Sequence, residues 1–217
     1  SKSLDNVVNP DEVVNEYGAD SLRLFEMFMG PLQDVKPWST KGVEGVYRFL
    51  NRAWRMYVEE DGNLNKSIKD ISLTVGQEKL LHQTIKKVTG DIETLNFNTA
   101  ISQMMIFLNE FSGLENKPRS ALDKFILLLS PFAPHIAEEI WEKLGNKTLI
   151  SKSSWPEFKE IKEKQEKQDI NQTIINSIKE LMGKLDEKQK INKIFIYVMP
   201  FEIKQINTSY PFHMVAG

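Results

Sequence analysis

A chain of 217 residues with no cysteine and three scattered histidines holds neither a disulfide framework nor a thiolate metal site, and no zinc cage is expected of it. Its 28 Lys and Arg stand against 30 Asp and Glu, a net charge of −2. That total decides nothing about nucleic acid, because binding follows local basic patches. No apolar run approaches the roughly 18 residues of a membrane span and no secretory pattern opens the chain, so the expectation is a soluble, cytoplasmic protein of one domain or two small ones, with ample core.

In chain order, Asn9-Pro10-Asp11-Glu12 predicts a helix start. Asn9 caps, Pro10 fits the first helical position, and two acids face the positive helix end. Gly18 ends that short helix, and a second runs from about Asp20 to Gly30-Pro31. A long helix is predicted from Thr40 to Val58, with Val43, Val46, Tyr47, Leu50 and Trp54 near the 3.6 period. Residues 61–70 read as a loop. Helices come next over Val75–Leu95, weakened by Gly90, and over Phe97–Phe111, with Ile101, Met104, Met105, Leu108 and Phe111 inward. Lys117-Pro118 breaks the pattern. Ser120 is placed as the cap of a helix holding the apolar run Phe125–Leu129, and Pro134 starts another that ends at Leu144-Gly145.

Five or six helices with short connections make an α-bundle. Beyond Trp155-Pro156 the chain turns Lys-, Glu- and Gln-rich. Residues 170–185 have helical spacing, and Lys193–Met199, KIFIYVM, reads as the one convincing strand. The fold class is therefore mainly α, with a small α+β C-terminal unit.

The opening SKSLDNVVNP resembles the end of the KMSKS signature of class I aminoacyl-tRNA synthetases, with Asp5 where glycine is more usual. Tyr17–Leu24 (YGADSLRL), Phe25–Leu32 (FEMFMGPL) and Lys36-Pro37-Trp38 are similar to the segments that come after that signature in the leucyl-tRNA synthetase family. So are Gly45–Arg55, the segments DIE at Asp91–Glu93 and FNTAI at Phe97–Ile101, LSPFAPHIAEEIW at Leu129–Trp141, and the closing Trp155-Pro156. The similarity runs from Ser1 to about Glu160.

The resemblance implies three parts: the end of a KMSKS loop and a connecting helical segment at 1–38, an anticodon-binding-type helical bundle at 39–158, and a linker helix with the small α+β unit at 159–217. It implies that the HIGH-bearing catalytic domain and the editing domain lie upstream in a longer parent. The parent would activate leucine with ATP, as its magnesium complex, and transfer it to tRNA(Leu); this piece, inactive alone, would orient the tRNA. Lys2 matches the lysine that neutralises the ATP phosphates, with Ser1 and Ser3 shaping the ATP-binding loop. The isoleucine and valine enzymes are rival parents, and a free-standing helical RNA- or protein-binding module without catalysis is a rival of another kind.

Lys41, Arg48, Arg52 and Arg55 recur at spacings of seven, four and three and fall on one helical face. They are the candidate tRNA-backbone contacts. The same face also reads as a solvated one with salt bridges, Glu44 to Arg48 and Arg55 to Glu59. His135 reads as a core or capping histidine rather than a catalytic one. Trp38, Trp54, Trp141 and Trp155 read as core rather than as stacking platforms for bases.

Overall fold

A computed structural model of the chain describes residues 8–31, 33–35 and 37–159. The chain divides into two units, Ser1–Ile161 and Lys162–Gly217, and the described residues all belong to the first. The expectations for Ser1, Lys2 and Ser3, for the helix at 170–185, for the strand at 193–199 and for the α+β unit lie outside the described residues.

Seven α-helices are found among the described residues: α1 (Pro10–Tyr17), α2 (Ala19–Phe28), α3 (Thr40–Tyr57), α4 (Val75–Glu93), α5 (Phe97–Ser112), α6 (Arg119–Leu129) and α7 (Pro134–Lys143). The mainly-α class stands, and each helix falls where one was expected in chain order. The Asn9 side chain accepts from the Asp11 amide to cap α1, and Pro10 occupies its first turn. Gly18, at φ +87°, stops α1 and starts α2, a conformation glycine reaches without steric cost. Thr74 and Gln77 form a reciprocal capping box at the start of α4, which settles two orphan donors at once.

One apolar core runs through all seven helices. Phe107 stacks on Phe111 at 4.0 Å and on Phe125 at 4.6 Å between ring centres, joining α5 to α6. Tyr57, fully buried at the end of α3, donates its hydroxyl to the Leu122 carbonyl at 2.7 Å. Burial, followed by the charge of Asp123, pushes that phenol well above its ordinary pKa and keeps it a donor. Residues from α1 and α2 (Val13, Leu24, Phe25) belong to this same core.

The turn between α4 and α5 puts Leu95 at φ +59°. Below it, the buried Asp91 carboxylate accepts from Lys87 Nζ and from Thr99 Oγ1, each at 2.7 Å. The DIE and FNTAI segments are thus two halves of one polar joint.

Several expectations need correction. Ser120 does not cap α6: the helix begins at Arg119, with Pro118 at the cap position, because Lys117-Pro118 is drawn into a parallel two-residue pairing, β2, with β1 (Ile68–Lys69). That pairing lies where a loop and a pattern break were read. Buried Lys117 anchors it, donating to Ser67 Oγ at 2.9 Å and to the Leu114 carbonyl at 2.8 Å. Tyr47, expected inward, is 40% exposed. Among the described residues no helix is long and apolar enough to cross a membrane.

Candidate nucleic-acid interface

The interface starts from the packing of α3. Ser39 accepts from the Gly42 amide to cap it, and Val43, Val46, Phe49, Leu50, Ala53 and Met56 face the core. At its start the helix presses on α2: a Cβ at Gly42 would come within 2.5 Å of the Phe25 ring. With the apolar face so committed, Lys41, Arg48, Arg52 and Arg55 are left exposed on the opposite side, within about 60° of one another at 100° per residue. All four candidate cations therefore share one solvent-facing stripe. Of the two ion pairs considered there, Glu44 reaches Arg48 at 3.7 Å, a well-solvated contact worth little. Glu59 pairs with Lys66 instead, at 3.7 Å, while the Arg55 carbonyl accepts from Asn65 Nδ2.

Beside the stripe, a groove of about 400 Å³ opens between α1, α2, α3 and α7. Tyr17 and Tyr47 meet edge to face at 5.7 Å on its wall, and Trp54 forms another part of the lining. The ammonium of Lys143 lies 5.7 Å over the Trp54 ring and donates to the Gly62 carbonyl. The sequence pattern hid this wall. Tyr47 and Trp54 sit seven apart near the apolar period, but Tyr47 faces the open groove, where Tyr17 of α1 is its ring partner.

α7 is held in place by α2. Its own cap position is Ala133, which offers no side-chain acceptor. The acceptor is Asp20: its carboxylate takes the His135 amide at 3.3 Å, the Ile136 amide at 2.7 Å and the His135 ring Nδ1 at 2.8 Å. A carboxylate there also suits the positive end of the helix. Arg23, one turn along α2, donates to the Pro131 carbonyl at 2.9 Å. His135 is thus a capping partner; its core reading fails, since the side chain is 78% exposed. The helical spacing of Asp20 and Arg23 on one face was the available signal, but nothing local in sequence points across to residue 135.

Residues 155–159 run as a strap along α4. Trp155 Nε1 donates to Thr89 Oγ1 at 2.9 Å, Lys86 lies 5.5 Å over the Phe158 ring, and the Lys159 amide donates to His82 Nδ1 at 3.0 Å.

Residues 78–196 match the family described as the anticodon-binding domain of tRNA ligase. The chain belongs to that family. The anticodon-binding match starts within α4 and passes beyond the described residues, so the stripe on α3 precedes it. Over 160 residues, 74% of the chain, the sequence is 54% identical to the leucine–tRNA ligases of two strains of Leptospira biflexa serovar Patoc. The chain spans 18% of the length of those relatives. A crystal structure of an Agrobacterium radiobacter LeuRS, described as a ternary complex with tRNA and LeuAMS, matches with a TM-score of 0.65 and 26% identity, over 91% of this chain and 30% of that one. The aminoacyl-tRNA synthetase resemblance read from SKSLDNVVNP to Trp155-Pro156 is therefore supported by independent likenesses of sequence and of fold.

Proposed function

We propose that this chain is the C-terminal part of a cytoplasmic leucine–tRNA ligase and that its bundle orients tRNA(Leu). The parent would activate leucine with ATP, held with magnesium, and pass the leucyl group to the terminal ribose. The observation that carries the reading is the exposed stripe of Lys41, Arg48, Arg52 and Arg55 on α3, in a chain 54% identical to leucine–tRNA ligases. The stripe supplies phosphate contacts at fixed spacing on a helix that the core holds rigid, which suits a surface that positions RNA without reading its sequence. By the family resemblance, Lys2 contacts the ATP phosphates with Ser1 and Ser3 beside it; a lysine ammonium suits that task as a compact cation. The LeuRS neighbour with tRNA in its complex favours the same partner for this bundle.

The test is a titration of the full chain with a tRNA(Leu) transcript at two salt concentrations, beside a variant with Lys41→Ala, Arg48→Ala, Arg52→Ala and Arg55→Ala. Wild-type binding that salt weakens, with a shallower salt slope in the variant, supports the reading. Equal behaviour of the two proteins removes the stripe from the interface.

A further inference from the structure

The groove between α1, α2, α3 and α7 divides its chemistry unevenly. Its walls are aromatic and aliphatic: Tyr17, Tyr47 and Trp54 line it with Leu50 and Ile136. Besides the Tyr and Trp rings, its polar side chains are Ser21, Asn51, Asp20 and Glu139. The two carboxylates repel a phosphate, and Asp20 is already engaged by the α7 amides. The cations stand outside, on the neighbouring turns of the same helix, where Arg48 and Arg55, three residues before and four after the groove-edge Asn51, are exposed. A nucleotide has the same division, an uncharged ring and ribose joined to an anionic phosphate. At about 400 Å³ the groove is at the small end of the usual range for ligand pockets, about 300–1,000 Å³. It has room for one nucleoside.

We propose that this groove receives a single unpaired nucleotide of the bound RNA, its base against Tyr47 and Trp54 and its flanking phosphates on Arg48 and Arg55. This rests on the reading of α3 as an RNA-facing helix and deepens it. Stacking on aromatic rings tolerates any base, because every base has a π-face. Tyr47 is 40% exposed, so its ring is accessible without rearrangement. Asn51 spends one amide hydrogen on the Tyr47 carbonyl at 3.0 Å, which fixes its side chain at the groove edge. Glu139, 3.7 Å from Lys143, is placed to accept from a ribose hydroxyl or a base amino group.

The stacking role and the phosphate role differ in their salt signature, and that separates this inference from the reading it rests on. The full chain is titrated with a tRNA(Leu) transcript across a range of salt, as wild type, Tyr47→Leu, Tyr47→Phe and Arg55→Gln. Tyr47→Leu is expected to weaken binding about five- to tenfold with its salt slope unchanged. Tyr47→Phe is expected to restore wild-type affinity. Arg55→Gln is expected to lower the slope by about one contact. If Tyr47→Leu binds like wild type while Arg55→Gln still lowers the slope, the groove takes no nucleotide and the phosphate stripe stands. If Tyr47→Leu acts through the slope, the ring has no stacking role and the inference falls. If the wild type binds no RNA, the RNA-facing reading falls and takes the groove with it.

Discussion

Two buried carboxylates hold this bundle together, and they do so over very different distances in the chain. Asp91 ties α4 to α5 through Thr99, eight residues away, and takes a second donor from Lys87 one turn back on its own helix. Asp20 ties α2 to α7 through amides 115 and 116 residues away. The chemistry is alike, a carboxylate that accepts from a neighbouring helix (for Asp91 from Thr99 of α5, with Lys87 of its own helix as second donor), but the donors differ in what they do when the acceptor is lost. Lys87 is about half exposed and Thr99 is exposed, so both can turn to water. The His135 and Ile136 amides are fixed in the first turn of α7 and have no side-chain cap of their own. The long-range joint is therefore the more brittle of the two.

That comparison can be broken at its strong end first. Asp20→Ala strands backbone amides at a helix start and is expected to cost about 2–3 kcal/mol, read as a lowered urea midpoint of the full chain; Asp20→Asn, which keeps one acceptor, should recover part of it. Asp91→Ala is expected to cost about 1–2 kcal/mol by the same measurement. A larger loss at Asp91 than at Asp20 would reverse the ranking and show that side-chain donors are as costly to strand as backbone ones.

The strap on α4 offers a third joint with a different acceptor, the imidazole of His82. Burial, and after it the charge of Lys124, lowers its pKa below the ordinary 6.5. A lowered folded value means that the neutral ring is the favoured one. Its contribution is fully present above about pH 6.5 and is lost as pH falls through the lower folded value. Protonation puts a hydrogen on Nδ1, which then cannot accept from the Lys159 amide. Amide exchange at Lys159, corrected for its intrinsic pH dependence, should speed up several-fold between pH 7 and pH 5; unchanged protection would show that the contact does not hold the strap. The smallest effect is expected in the turn above Asp91. Leu95→Gly relieves a left-handed residue at φ +59° and should stabilise by about 0.5 kcal/mol net of the added freedom of glycine in the unfolded chain; a loss of stability would mean that the Leu95 side chain packs to more effect than its exposure suggests.

Helix ends were legible in the sequence and neither carboxylate joint was, because the ends are marked by adjacent residues and the joints are made by packing. Asn9-Pro10, Gly18 and Leu144-Gly145 mark helix ends through residues next to them, so α1, α2 and α7 could be bounded by inspection. The apolar spacing of α5 and the cationic spacing of α3 are also local, and the exposed stripe is the one such spacing describes. Ser120 failed as a cap because its backbone comes after Pro118, which is held in the pairing with Ile68–Lys69, a partner 49 residues away. Tyr47 failed as a core residue because it lines an open groove between helices, a gap which no periodicity in α3 contains. Asp20 was read only as the approximate start of α2; that it serves another helix is a fact of tertiary packing alone.

The order in which the chain is made gives the Asp20 joint a further meaning. The acceptor leaves the ribosome 116 residues ahead of the Ile136 amide that it will receive. At about 5–20 residues per second, that interval is roughly 6–23 s. Through all of it α1, α2 and α3 can pair with one another, but the carboxylate that closes the unit has only water to bind. α7 thus arrives as the keystone of a nascent structure, and a chain stalled before Pro134 would carry an assembled first half with its clasp still open.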